Sequence, residues 1–283
     1  MSHKDGAPFQ AACVQMRTGV DRDRGIDDAL ALIAEAADKG ARFVATPEMT
    51  SVLDQNPKRL FADLPEPERA PELTAFSDAA QRHGVWLLIG SVAVKVGDRR
   101  AANRSLFFSP DGALIATYDK IHMFDVALPD GETWKESSVY EPGAAASVIE
   151  TPLASFGLSI CYDLRFPALY RALSQAGATV LCVPAAFTRQ TGKAHWRTLL
   201  RARAIENGAF VIAPGQGGRH EDGRETFGGS AVIGPWGEVL CEADGDEPGV
   251  VLAKIDPPAA ARARAAIPNL GLEAPFKILN LRA

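Results

Sequence analysis

Short apolar runs alternate with amphipathic stretches along almost the whole chain. Runs rich in β-branched and aliphatic residues predict strands at residues 9–16, 43–46, 86–94, 104–109, 114–120, 156–161, 179–183, 209–213, 230–233 and 250–255. Apolar positions spaced three and four residues apart predict helices at residues 24–39, 71–83, 167–176 and 194–207. Because strands and helices alternate, and most strands are almost continuously apolar, the pattern predicts an α/β fold.

Two turns and the C-terminal segment complete this outline. SPDG at residues 109–112 and GPWGE at residues 234–238 each lie between apolar runs and predict β-hairpins. No internal repeat or low-complexity linker interrupts the sequence, so we expect one domain over residues 1–283 with its core at about residues 8–256. Residues 257–283 are rich in Ala and Pro and show little core pattern. We expect them to wrap over the surface or over a partner subunit.

Size and charge exclude several classes of partner. With 283 residues, 47% of them hydrophobic, the chain is long enough to bury a core without disulfides or a structural metal. Lys and Arg number 30 against 35 for Asp and Glu, and no basic run occurs, which argues against nucleic acid and anionic membranes. The longest uncharged apolar stretches, such as residues 177–187, are far shorter than the roughly 20 residues that span a bilayer. The N-terminus has no apolar run, so we expect a soluble, cytoplasmic protein.

The four cysteines, Cys13, Cys161, Cys182 and Cys241, lie far apart and form no CxxC pair, so we expect neither a disulfide framework nor a metal site. Three of them lie in aliphatic runs and are predicted to be inert thiols. Cys161 differs, because the run FGLSI leads directly into CYDLRFP and a predicted helix. A nucleophile at such a strand end stands clear of the sheet, and a helix N-terminus supplies N–H donors for an oxyanion. The alternative is a buried structural thiol.

Two charged residues also follow predicted strands. Glu48 comes after the run FVATP, where partial withdrawal from water would raise the carboxyl pKa and suit it to act as general base for a thiol. Lys120 ends the second strand of the SPDG hairpin, where an ammonium group would lower the pKa of a thiol and hold an oxyanion. Alone, each is more simply a solvated side chain. Together with Cys161 they make a base, a cation and a nucleophile at three strand ends.

Histidine is the other usual partner of a cysteine nucleophile. His122 lies two residues after Lys120, and His195 begins a predicted helix. The surroundings of a papain-like cysteine, with a following Trp near the mature N-terminus, are absent. We therefore expect His195 to be a packing or hydrogen-bonding residue.

Three stretches carry a resemblance to a known family. TPEM at residues 46–49, YDKIHMFD at 118–125 and GLSICYDLRFPALYRAL at 157–173 resemble the signature regions of the nitrilase superfamily of carbon-nitrogen hydrolases, in the same order. The similarity continues through residues 184–214 and 228–240 and so covers nearly the whole chain. The resemblance implies an α-β-β-α sandwich that pairs with a second subunit into an eight-layered dimer.

The resemblance also implies a role for individual residues. Glu48 is the general base, Cys161 the nucleophile and Lys120 the stabiliser of the tetrahedral intermediate, with the backbone N–H of Tyr162 completing the oxyanion site. The amidase branches carry a second glutamate in a segment that KES resembles, so Glu136 is expected to orient Lys120 and the substrate; otherwise it is an ordinary surface acid. No cofactor or metal is needed, because thiolate attack on an amide gives a thioester that water hydrolyses.

Further resemblances bear on the substrate. Tyr162 follows the cysteine where nitrile-cleaving members have Trp, and residues 124–143 and 215–220 resemble the Nit branch. This implies hydrolysis of deaminated glutathione to 2-oxoglutarate and cysteinylglycine. The alternative within the branch is an omega-amidase that acts on the keto acids of glutamine and asparagine.

Both substrates carry an α-keto carboxylate, which a planar guanidinium binds through two hydrogen bonds. Arg165 is expected to supply it, unless it only pairs with Asp163 or with an acid of the dimer interface. Phe187 and Thr188 are expected to line the pocket, and His220 to meet the glycine carboxylate of the longer substrate.

Three interpretations of function stay open at this point. The first is a cysteine amidase of the keto-acid or peptide-like type, with a small-molecule amide as substrate. The second is another hydrolase on the same fold, such as a carbamoylase or a broad aliphatic amidase. The third is a silent scaffold, against which the retention of all three reactive side chains argues.

Overall fold

The computed structural model describes residues 6–97, 99–128 and 131–281. Its strands, in chain order, are β1 Phe9–Gln15, β2 Phe43–Ala45, β3 Trp86–Lys95, β4 Ala101–Phe108, β5 Leu114–Asp119, β6 Asp125–Ala127, β7 Thr133–Lys135, β8 Val148–Glu150, β9 Ser155–Leu158, β10 Val180–Cys182, β11 Phe210–Ala213, β12 Gly217–Arg219, β13 Glu225–Phe227, β14 Ala231–Ile233, β15 Val239–Glu242 and β16 Gly249–Ile255. Its α-helices are α1 Arg22–Asp38, α2 Pro57–Ala62, α3 Pro71–His83, α4 Pro167–Gln175, α5 Arg189–Asn207 and α6 Pro258–Ala266.

Two six-stranded sheets organise these elements. The first has the order β16-β1-β2-β3-β4-β5 and the second the order β15-β14-β11-β10-β9-β8. The central strands run parallel in both sheets: Val44 of β2 pairs with Leu87 of β3, and Leu181 of β10 pairs with Gly157 of β9. Helices α1 and α3 contact the first sheet, and α4 and α5 contact the second. The layers therefore follow the expected order α-β-β-α.

Aromatic side chains join the two sheets face to face. Phe43 of β2 and Phe107 of β4 belong to the first sheet, and Phe156 of β9 belongs to the second; all three are fully buried. The ring centroids of Phe43 and Phe156 are 4.5 Å apart in a stacked arrangement, and those of Phe107 and Phe156 are 5.6 Å apart. Because these large rings meet across the interface, they fix the spacing and the relative position of the two sheets.

The outer helices bury the apolar stripes that their sequences carry. In α1 the buried face is formed by Ile26, Ala29, Ile33 and Ala36, at the predicted spacing. Its first turn is capped by Asp21, whose side chain accepts the N–H of Arg24. The helix therefore begins where a capping residue precedes the stripe.

Most predicted elements recur with shifted bounds, and the largest shift is in α5. This helix begins at Arg189 rather than at residue 194. The first turn of α5 is polar but partly buried. Gly192 packs directly against Phe227: a Cβ at Gly192 would lie 2.2 Å from that side chain. A polar turn packed in this way leaves no apolar stripe to detect. The short elements α2, β6, β7, β8, β12 and β13 were not predicted, because three to six residues hold too little of a period.

The two hairpin predictions are confirmed. The SPDG turn joins β4 to β5 and the GPWGE turn joins β14 to β15, both antiparallel pairs. Cys13 and Cys182 are buried free thiols, and Cys241 is a partly exposed one.

The C-terminal segment contains a helix that the sequence pattern did not predict. Residues 258–266 form α6, which buries Ala260 and Ala263. Arg264 of this helix donates from Nε to the Asn207 carbonyl at 3.1 Å and from Nη2 to the Ala178 carbonyl at 2.5 Å. Small alanine side chains and one partly buried arginine hold this helix in place of a bulky apolar stripe. The expectation that the segment wraps over the surface or over a partner subunit stays a prediction. None of the helices in the described ranges is long and apolar enough to span a membrane.

Replacing Arg264 should destabilise the fold more than replacing its neighbour on the same helix. Arg264→Ala leaves two carbonyls at the ends of α5 and β10 without their donor, and we expect a loss of about 1–3 kcal/mol in the free energy of unfolding. The matched control, Arg262→Ala, removes only an exposed ion pair with Asp256 and should cost less than about 1 kcal/mol. Urea unfolding of both variants measures the difference, and equal losses would contradict the role given to Arg264.

Candidate active site

Glu48, Lys120 and Cys161 come together where strands of both sheets end. Glu48 follows β2, Lys120 follows β5, and Cys161 follows β9 in a 3-10 turn, Cys161–Arg165. Their relative exposures are 4%, 2% and 8%, so all three are buried. A neutral thiol, a carboxylate and an amine thus share one region from which water is largely removed.

The turn that carries Cys161 has a strained backbone. Cys161 has φ = +50°, in the left-handed region that side chains other than Gly seldom adopt, directly after Ile160 in an extended conformation. Its N–H donates to the Pro184 carbonyl at 2.8 Å. Gly90 of β3 allows Pro184 to lie this close, because a Cβ at Gly90 would be 2.5 Å from the Pro184 side chain. With this backbone conformation the side chain of Cys161 leaves the direction of the strand and lines a cavity.

Asp163 braces this turn from inside. It is completely buried, and its carboxylate accepts the Ile160 N–H at 2.8 Å, the Tyr118 hydroxyl at 2.7 Å and the His122 N–H at 3.1 Å. The His122 Nδ1 lies 2.6 Å from the same carboxylate. With these partners Asp163 does not pair with Arg165, so the expected alternative of an Asp163–Arg165 pair is wrong. Pairing of Arg165 with an acid of a dimer interface stays a prediction.

Glu48 is held on both carboxylate oxygens. Its Oε1 accepts from Asn103 Nδ2 at 2.9 Å and from Lys120 Nζ at 3.1 Å, and its Oε2 accepts the Ala186 N–H at 2.9 Å. Burial by itself raises the carboxyl pKa, but the Lys120 charge and hydrogen bonds from Cys161, Lys120 and Asn103 outweigh it, so the pKa of Glu48 lies below its ordinary value. The expectation of a raised pKa is wrong, because it took account of burial alone.

Lys120 lies between two carboxylates. Its Nζ donates to both oxygens of Glu136, at 2.9 and 2.8 Å, as well as to Glu48. Glu136 follows β7 and also accepts the Phe124 N–H at 2.6 Å. Although burial favours the neutral amine, the two carboxylates raise the pKa of Lys120 well above its usual value. Lys120 is thus an ammonium ion at neutral pH, and Glu136 is part of this buried cluster rather than a solvated surface acid.

The Cys161 thiol is neutral in this setting. Burial and the negative charge of Glu48 raise its pKa well above the usual value, and the charge of Lys120 only partly offsets them. Lys120 does lower the thiol pKa, as expected. Burial and Glu48 raise it by more, so the expected net decrease in the Cys161 pKa is wrong. Because the Glu48 carboxylate lies next to the thiol and acts on its pKa, the proton can pass to Glu48 as the sulfur attacks an electrophile.

A cavity of about 280 Å³ opens beside these residues. Part of its lining is an aromatic wall formed by Phe124, Trp134, Tyr162 and Phe187, and aliphatic, polar and charged side chains line the rest. Thr188 lines it too, so Phe187 and Thr188 lie where the sequence analysis expected them. The size suits a small molecule held against flat rings.

Arg165 lies in this wall without an acidic partner. Its guanidinium carbon is 5.3 Å from the Phe187 ring centroid and 6.0 Å from that of Tyr162, and its Nη1 is 3.2 Å from Nδ1 of the exposed His195. Within the described ranges, no carboxylate lies within ion-pair distance of Arg165. His195 is a hydrogen-bonding residue as expected, although it lies within α5 and not at its start.

His220 is not brought into the cavity, which corrects its expected contact with substrate. It is buried, with Nδ1 2.8 Å from the Thr18 carbonyl and Nε2 2.7 Å from the Thr226 hydroxyl. Burial lowers the pKa of His220, so the ring stays neutral. Since both ring nitrogens have partners inside the protein, neither is available for a carboxylate.

Three residues of the site were missed by sequence reasoning. Asn103 of β4 binds Glu48 and also lies 3.3 Å from Glu136 Oε1, while Trp134 and Arg224 line the cavity. The signal for Asn103 was a polar side chain inside the apolar strand AANRSLFF. Arg224 carried no local signal, because its guanidinium reaches Trp134, which is ninety positions earlier in the chain.

Comparison with known proteins agrees with this geometry. Residues 10–265 match the family described as carbon-nitrogen hydrolase. A relative from Synechocystis sp. named deaminated glutathione amidase is 39% identical over 275 residues, which cover 93% of this chain and 97% of the relative. The solved NitFhit protein of C. elegans superposes with a TM-score of 0.87 at 31% identity and covers 95% of this chain, which in turn spans only 65% of that protein. Saccharomyces cerevisiae Nit3, described as a member of branch 10 of the nitrilase superfamily, gives a TM-score of 0.83 at 26% identity over 93% of this chain and 95% of Nit3. The chain therefore belongs to the carbon-nitrogen hydrolase family and has the nitrilase-superfamily fold.

Proposed function

We propose that this chain is a cysteine amidase whose substrate is deaminated glutathione, which it hydrolyses to 2-oxoglutarate and cysteinylglycine. The observation that carries the proposal is the burial of Cys161, Glu48 and Lys120 together, beside a cavity that Arg165 also lines. The name of the Synechocystis relative supports the substrate. Its chemistry does so too, since an amide and an α-keto carboxylate are the groups that these side chains would attack and bind.

In the acylation step, Glu48 removes the thiol proton while Sγ of Cys161 attacks the amide carbon. The carbonyl electron pair moves to oxygen, and Lys120 and the backbone N–H of Tyr162 donate to the oxyanion. Protonation of Glu48 weakens its hydrogen bond with Nζ at 3.1 Å, which leaves that N–H for the oxyanion. Glu48 then gives the proton to the amide nitrogen, the C–N bond breaks, and cysteinylglycine leaves a thioester on Cys161.

The deacylation step uses the same base. A water molecule gives a proton to Glu48 while its oxygen attacks the thioester carbon, and a second oxyanion forms at the same donors. The C–S bond then breaks, and the sulfur takes the proton back from Glu48. The acid 2-oxoglutarate leaves, and the neutral thiol is restored.

Glu136 and Asn103 act as positioning residues in this scheme. Glu136 holds the ammonium group of Lys120 through both oxygens, and Asn103 donates to Glu48 and lies beside Glu136. With these contacts, Nζ stays near the position where the oxyanion develops. Preorganised charge of this kind needs no rearrangement of solvent during the reaction.

Recognition of the acyl part rests on Arg165. Among the residues that the structure describes, no acid pairs with its guanidinium, which lies against Phe187 and Tyr162 and would bind the keto-acid carboxylate through two hydrogen bonds. Phe187 and Thr188 would enclose the aliphatic part of the same arm. The keto acid of glutamine presents the same carboxylate and a primary amide, and it is therefore the second substrate to test.

The wider context of the protein is also part of the proposal. We take residues 1–283 as one cytoplasmic domain that works as a homo-oligomer, at least a dimer. Five apolar side chains near the C-terminus are 70–89% exposed, and a second subunit would cover them: Leu272, Phe276, Ile278, Leu279 and Leu281.

Replacing the proposed nucleophile should abolish turnover. We expect Cys161→Ala to lower kcat/KM for deaminated glutathione by at least about 10³-fold, since no other thiol of the described chain lies in the cavity. Cys241→Ala, which removes a partly exposed thiol, is the matched control and should keep the wild-type rate. Release of cysteinylglycine or ammonia is measured on deaminated glutathione, the keto acid of glutamine, an N-carbamoyl amino acid and a simple nitrile. A preference for the short keto acid would make the chain an omega-amidase, and no turnover of any amide would sink the enzyme proposal.

The pH profile should reflect a carboxylate and a neutral thiol. The pKa of Glu48 is lowered, so the base is ionised throughout the range above 4.5 and is lost only as pH falls through that lowered value. The pKa of Cys161 is raised above 9.0, so no rise in rate is expected as pH passes the ordinary thiol range. We expect kcat/KM to fall on the acid side only below pH 4.5 and to show no increase towards 9.0. An acid limb centred near the ordinary thiol pKa would indicate a preformed thiolate instead.

Polar substitutions in the exposed C-terminal segment should weaken self-association. In light scattering, wild-type protein should have at least about twice the chain mass of 30.1 kDa. Replacing Leu272, Phe276, Ile278 and Leu279 by Ser should shift the mass towards one chain, because the apolar area covered by the partner is lost. Lys277→Ser in the same segment serves as the control. A monomeric wild type would refute the oligomer proposal.

A further inference from the structure

A second arginine, Arg224, lines the cavity and has no role in the reaction proposed above. Arg224 lies directly before β13. Its guanidinium carbon is 4.7 Å from the ring centroid of Trp134, and its side chain is only 17% exposed. Arg224 and Trp134 both line the cavity that holds Cys161.

Two N–H donors at this wall lack acceptors. Arg224 Nε and Trp134 Nε1 are buried, and neither has a hydrogen-bond partner among the described residues. Arg224 forms an ion pair with the buried side chain of Asp222 through Nη2, at 3.5 Å from Oδ2, and this contact leaves Nε without an acceptor. The Asp222 carboxylate also accepts the backbone N–H groups of Gln55 and Arg224 at 3.0 Å. Buried donors without acceptors cost free energy, and a ligand oxygen that reaches them removes this cost.

The two arginines of the cavity contact different aromatic rings. Arg165 lies against Tyr162, whereas Arg224 lies against Trp134. The Phe124 ring contacts both of these rings, with centroids 5.1 Å from Tyr162 and 6.2 Å from Trp134. The cavity therefore offers two separate cations along one aromatic wall, with the nucleophile next to Tyr162 in the chain. This arrangement matches a ligand with an anionic group at each end and the reacting group between them.

We propose that Arg224, together with Trp134 Nε1, binds the carboxylate at the far end of the leaving group. This inference rests on the proposed function. Deaminated glutathione carries its keto carboxylate on the acyl side of the scissile amide and its glycine carboxylate on the amine side. Arg165 binds the keto carboxylate, and Arg224 binds the glycine carboxylate, which His220 was expected to contact. The keto acid of glutamine releases only ammonia and has nothing to place against Arg224, so Arg224 selects for the longer substrate.

The test compares the two substrates in each variant. For Arg224→Gln, the ratio of kcat/KM for deaminated glutathione to kcat/KM for the keto acid of glutamine should fall by about 10- to 100-fold, mainly through KM for the longer substrate. Arg224→Lys should recover only part of the ratio, because an ammonium group keeps the charge but not the paired donors. Trp134→Phe keeps the ring and removes one donor, so it should lower the ratio less. Arg165→Gln, the contrasting variant, should lower both rates and leave the ratio near the wild-type value.

A ratio within one protein preparation is insensitive to partial misfolding, which lowers both rates together. Product inhibition gives a second readout: cysteinylglycine should inhibit wild-type enzyme more strongly than Arg224→Gln. If Arg224→Gln lowers both rates equally and leaves product inhibition unchanged, Arg224 is structural. This inference is then overturned, while the proposed function still stands. If the wild type turns over neither substrate, the proposed function fails and this inference fails with it.

Discussion

The ion cluster of Lys120 between Glu48 and Glu136 is the interaction on which the rest of the site depends. All three groups are largely withdrawn from water, and charges buried in this way are stable only when paired and hydrogen-bonded. The pairing is completed by the Asn103 amide and by backbone N–H groups of Phe124 and Ala186. Removal of Lys120 would leave two buried carboxylates without a counter-charge, so the strand ends that carry these groups must keep their positions.

This cluster carries one net negative charge, and that charge explains the state of the nucleophile. A thiolate at Cys161 would add a second negative charge to a region of low polarity, which is why its pKa is raised. In the proposed reaction the proton moves from Cys161 to Glu48 while negative charge moves from Glu48 to the oxyanion. The total charge of the site does not change, and both negative positions lie within reach of Lys120. A buried environment that disfavours a free thiolate thus favours concerted attack.

The fold brings the parts of this cluster together from distant positions in the chain. Glu48 and Lys120 follow strands of one sheet, and Cys161 follows a strand of the other, so their alignment depends on how the two sheets pack. The rings of Phe43 and Phe156 set that packing, and Asp163 holds the strained turn at Cys161. The aromatic wall of the cavity lies beside this cluster, where it would contact a bound substrate in the proposed reaction.

Local patterns in the sequence determined the class of fold and most strand and helix positions. They also placed Glu48, Lys120 and Cys161 at strand ends. Periodicity and strand ends can be detected because they are properties of neighbouring residues. Only the tertiary structure decided the sign of the Glu48 pKa shift, the burial of Glu136, the inclusion of Asn103 and Arg224, and the exclusion of His220. Each of these depends on contacts between residues far apart in the chain: Asn103 meets Glu48 across 55 positions, and Ala186 meets it across 138. Such contacts leave no period or spacing in the sequence, since they arise only when two sheets and their loops close around the same cavity.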